Sequence, residues 1–148
     1  MNKISKSLLG LGVAASLSLS CGIAAAAGNI IVLVNDTNVQ SGEEIGIKVV
    51  LNGDGVYDAY IWIEGGVLDG ATLTVNKDGQ WVLRNDQSPQ KLRANIDIET
   101  LNLQKKIITL LPRLKFENIA GRYKLTAALT TPGQLDFKLI DEIFVVLK

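Results

Sequence analysis

The stretch NIAGRYKLTAAL, Asn118 to Leu129, decides the fold. A glycine, a spacer and a tyrosine lead into a strict alternation. Tyr123, Leu125, Ala127 and Leu129 share one face, and Arg122, Lys124 and Thr126 share the other. Period-two patterning of this kind marks a strand with one face on a core. In Greek-key sandwiches a tyrosine near the start of strand F folds its hydroxyl back onto backbone a few residues upstream, tying down the E–F crossover. Tyr123 is expected to be that tyrosine, with Gly121 supplying the backbone angles of the corner.

The rest of the chain carries the same period. EIGIKVVL (Glu44 to Leu51) sets Ile45, Ile47, Val49 and Leu51 on one face and ends in the turn residues Asn52-Gly53-Asp54-Gly55. DAYIWIE (Asp58 to Glu64) follows, up to a turn at Gly65-Gly66. ATLTV (Ala71 to Val75) and QWVLR (Gln80 to Arg84) flank Asn76-Lys77-Asp78-Gly79, a hairpin signal. The polar stretch Asn85 to Lys106 holds one short strand around Ile96 and Ile98. IITLL (Ile107 to Leu111) stops before Pro112, and EIFVVLK (Glu142 to Lys148) closes the chain. NIIVLV (Asn29 to Val34) is apolar on both faces, which fits a strand buried on both sides. Seven to nine short strands with regular turn signals and no helix predict an all-β, immunoglobulin-like Greek-key β-sandwich. No linker or repeat divides it.

The first residues read differently. Lys3 and Lys6 form a positive n-region, Leu8 to Leu19 an uncharged h-region, and IAAAAGN offers small residues before a cut after Ala26 or Ala27. Residues 1–27 are expected to be a secretory signal peptide and 28–148 a single domain. Cleavage takes 27 of 148 residues and leaves 121, with 13 basic residues against 15 acidic. That near-neutral balance gives no electrostatic reason to seek nucleic acid or an anionic membrane. The one cysteine, Cys21, lies in the signal and lacks the leucine three residues earlier that lipid modification favours.

Chemistry is sparse. The chain has no histidine, and without Cys21 no cysteine, which removes the commonest general base and the usual zinc, copper and haem ligands. Ser88 and Lys91 match a Ser-x-x-Lys spacing but follow no strand-to-helix turn. The carboxylates fall at outward positions or in turns, where solvated carboxylates sit. NGDGVYD (Asn52 to Asp58) sets oxygen donors at Asn52, Asp54 and Asp58 but misses the calcium-loop pattern at Val56 and Tyr57. No catalytic, cofactor or metal site is expected. The aromatic residues leave two expectations. Tyr60 and Trp62 share parity with Asp58 and Glu64, so an aliphatic core face would set both outside. The other reading, preferred here, makes Trp62 the buried strand-C tryptophan of such sandwiches. Tyr60 and Trp81 are the possible ligand surface, with Trp81 beside a turn.

Asp58, Tyr60 and Ile61, then Gly121, Tyr123, Ala128, Leu129, Pro132 and Gly133, together resemble a family of bacterial exported immunoglobulin-like domains. The likeness covers roughly two-thirds of the mature chain, all of it between Val56 and the end. It departs from the family pattern after the early strand, where Gly65-Gly66 and Asp69-Gly70 replace a proline-containing turn. The resemblance implies a fold and an envelope or extracellular location, with no defined chemistry. The expectation is therefore a non-catalytic exported binding or structural module, periplasmic or extracellular, whose partner is another protein or a glycan. The alternatives are a carbohydrate-binding sandwich using Tyr60 and Trp81, and a self-assembling subunit that adds NIIVLV to a neighbour's sheet edge.

Overall fold

Ten strands and two short helical turns form among residues 27–148, the residues that the computed structural model describes. The signal-peptide reading therefore lies outside the described residues except at Ala27. The strands are β1 (Asn29–Val34), β2 (Asn38–Val39), β3 (Glu44–Asn52), β4 (Val56–Gly65), β5 (Thr72–Val75), β6 (Trp81–Arg84), β7 (Lys91–Asp97), β8 (Ile107–Lys115), β9 (Gly121–Thr130) and β10 (Leu139–Leu147). A 3-10 turn spans Gly66–Leu68, and one helical turn, α1, spans Leu103–Lys106 with Asn102 capping it.

Two sheets stack face to face. The smaller has the order β1-β3-β8; the larger runs β2-β10-β9-β4-β5-β6, with β7 also paired to β4. All pairs are antiparallel except β2 with β10. Ile30, Val49, Leu51, Ile61, Leu125, Leu129 and Val145 are almost completely buried between the sheets. Those are the alternating positions, so the hydrophobic pattern set the register. The protein is an all-β sandwich.

Three expectations need correction. The strand count exceeds nine because β2 is only two residues long, too short for any alternation to show. β8 does not stop before Pro112 but runs through it to Lys115. It is the edge of the smaller sheet, where proline's missing N–H takes no ladder bond away. NIIVLV is likewise an edge strand, not one buried on both faces: it pairs with β3 over all six residues, leaving Ile31 and Leu33 exposed. The Asp141 carboxylate of β10 accepts from the Val32 amide at 2.9 Å, so this strand's ties run inside its own sandwich.

Candidate functional site

β4 and β9 lie side by side through the middle of the larger sheet, pairing from Asp58↔Thr130 at one end to Gly65↔Tyr123 at the other. At the second end the Tyr123 hydroxyl donates to the Ile119 carbonyl at 2.7 Å and accepts from the Val67 amide at 3.2 Å. One phenol thus ties the approach to β9 to the turn that leaves β4. Glycine is obligatory on both sides. Gly121 has φ +150°, and a Cβ there would meet the Gly66 Cα at 2.8 Å. Gly66 has φ +52°, and a Cβ there would enter the Tyr123 ring. The tyrosine ring packs inward on the core, as the sequence led one to expect.

Beside this corner the sandwich is hollow. A cavity of about 390 Å³ opens between the sheets. Ile45, Ile47 and Leu111 wall it from the smaller sheet, and Ile63, Leu73 and Trp81 from the larger. Val67 and Ile119 stand at the corner end, and Val67 is 56% exposed. Tyr123 and Trp81 bring the polar side-chain atoms of this lining, and the Tyr123 hydroxyl is already engaged. Folded interiors leave few voids larger than one water, and an apolar hollow offers water no hydrogen bonds. A second, polar hollow of about 190 Å³ shares Phe116, Ile119 and Leu147 with the first. Its wall carries Gln40, Ser41, Glu43, Asn118 and Lys148.

The other end of the β4–β9 pair is closed by charge. Asp58 is 1% exposed. Its Oδ1 accepts from the Asn95 amide at 2.8 Å, and its Oδ2 from the Gly133 amide at 2.8 Å and the Lys91 ammonium at 2.8 Å. Burial acts to raise the carboxyl's pKa, but Lys91 and the two amides together outweigh it and hold the group below its ordinary value. The Asp58 carboxylate in turn raises the Lys91 pKa. Sequence reasoning missed this clamp. Its visible signal was one carboxylate in an otherwise uncharged strand core, but its partners lie 37 and 75 residues away in sequence.

The structure separates the residues proposed as a ligand surface. Tyr60 is 4% exposed and on the outer face of β4, its ring edge-on to Phe137 at 5.6 Å. Burial raises its pKa above the ordinary tyrosine value. Trp81 faces the other way, into the cavity, because it pairs with Val75, whose side chain is in the core. Trp62 is not the core tryptophan: it shares the outer face with Tyr60 and packs on Phe137 at 5.5 Å. The inward positions of β4 are Ala59, Ile61 and Ile63. The Asn52 to Asp58 turn loses its third oxygen donor, since the Asp58 carboxylate is committed to Lys91 and two amides. Among the described residues no cluster of three Cys, Asp or Glu side chains forms.

Comparison with known proteins adds no family: no protein-family model matches the chain, and no curated protein does either.

Proposed function

We propose that the chain is a non-catalytic, exported binding module on an immunoglobulin-like sandwich, and that it takes a small apolar ligand between its sheets. The strand orders support the fold assignment. β10-β9-β4-β5-β6 corresponds to the G-F-C-C′-C″ sheet of variable-type domains, and β1-β3-β8 to A-B-E, with Tyr123 near the start of the F equivalent. Among the described residues no strand flanks β8 where strand D would stand; β7 pairs with β4 instead. Export rests on the charge and hydropathy pattern of residues 1–27, and N-terminal sequencing of the secreted protein tests it.

The observation that carries the binding reading is the cavity: about 390 Å³, within the size range of small-molecule pockets and open to solvent beside Val67. Its walls can exclude water and hold apolar surface, but they present no nucleophile or free acid–base group. Anilinonaphthalene sulfonate should brighten on the native protein at one-to-one stoichiometry and raise its melting temperature. Cooperative unfolding must be shown alongside, because loosely packed states also bind this dye. A native protein that leaves the dye dark would refute the reading. So would a signal that Leu73→Trp, which fills the cavity, fails to reduce.

A further inference from the structure

We infer that the occupant of the cavity is a single straight acyl chain of about a dozen carbons, with its polar head in the adjoining hollow. This deepens the proposed binding reading and rests on it. The first argument is chemical division. The large hollow is apolar over its exposed surface. The smaller one, across Phe116, Ile119 and Leu147, brings hydroxyl, amide and ammonium groups together with the Glu43 carboxylate, which already accepts from the Gln40 amide. A purely apolar guest leaves the second hollow unused, and a sugar or peptide strands its polar groups in the first. An amphiphile satisfies both.

The second argument is size. At roughly 30 Å³ for each water-sized group, the large hollow accepts on the order of a dozen methylenes. The third is the exclusion of a protein strand as guest. Leu111 of β8 lines the cavity, and β8 is a sheet edge that an added strand would use. That edge carries Pro112, two register irregularities against β3, and the charges of Arg113 and Lys115. These are devices that blunt edge pairing.

The two tryptophans make the test internal, because Trp81 lines the cavity and Trp62 lies on the opposite face of the larger sheet. Dodecanoate brominated along its chain should quench the Trp62→Phe protein strongly and the Trp81→Phe protein hardly at all. Affinity should rise about fourfold per methylene from octanoate to dodecanoate, the increment for burying each group, and then level off. Leu73→Trp should weaken dodecanoate at least tenfold. Val67→Trp, at an exposed rim position, should do the same and serves if the first variant folds poorly. Quenching that persists in Trp81→Phe, or affinity that ignores chain length, overturns the inference. If the dye binds and dodecanoate does not displace it, the binding reading stands and the acyl-chain inference fails.

Discussion

The two ends of the β4–β9 pair are built from the same two strands and differ in almost everything else. At the Asp58 end the core is solid: Ala59, Ile61, Ile98 and Leu129 are each 0% exposed, and a buried carboxylate gathers a lysine and two amides from β7 and the turn after β9. At the Tyr123 end a phenol joins two backbone segments, and the interior beside it is a hollow of about 390 Å³. One end is closed around fully buried side chains, the other around a hollow. Stability and binding should therefore separate along the length of a single strand pair.

The sharpest way to break that contrast is at the solid end. Leu129→Ala should cost about 2–5 kcal/mol, because tight neighbours collapse little around the missing atoms. Urea titration checks this, and a loss under 1 kcal/mol would mean that the end is looser than its burial indicates. Asp58→Ala comes next, at about 1–3 kcal/mol, since it removes the charged acceptor of two backbone amides and of Lys91. The same clamp gives a pH signature. The folded Asp58 pKa lies below 3.8, so its contribution is complete above that pH and is lost as pH falls through the folded value. The stability gap between the wild type and Asp58→Asn should accordingly narrow below pH 3.8; a constant gap from pH 6 to pH 2 would assign the effect to something other than ionisation.

Effects no larger than these are expected at the hollow end. Tyr123→Phe removes both corner hydrogen bonds and should cost about 1–3 kcal/mol, with an unchanged unfolding midpoint dismissing the corner. Leu73→Phe should be close to neutral, within about 1 kcal/mol, because the larger ring has vacant space to enter. The same enlargement at Ile61, a fully buried site, should destabilise by about 1–3 kcal/mol through overpacking. Equal costs at the two sites, measured by thermal melts, would erase the distinction between a hollow end and a solid one.

The all-β class, most strand positions and the Tyr123 corner were legible in the sequence, because each depends on near neighbours. Alternation fixes which side chains face a core, and a glycine two residues before a tyrosine fixes a local bend. Trp62 was misjudged because β4 buries side chains on both faces, with Tyr60 covered by Phe137 from a loop 77 residues away, so alternation alone does not say which face is the sandwich interior. The β1 strand misled for a related reason: apolar residues on both faces do not distinguish a central strand from an edge strand whose outer apolar residues stay exposed. The pairing of Tyr60 with Trp81 failed because residues on different strands share a surface only after register is set. The Asp58 clamp and the cavity lay further out of reach. A carboxylate becomes a clamp only when folding brings Asn95 and Gly133 to it, and a void belongs to no residue at all. It is what remains when two sheets meet without filling the space between them, and only the tertiary structure decides that.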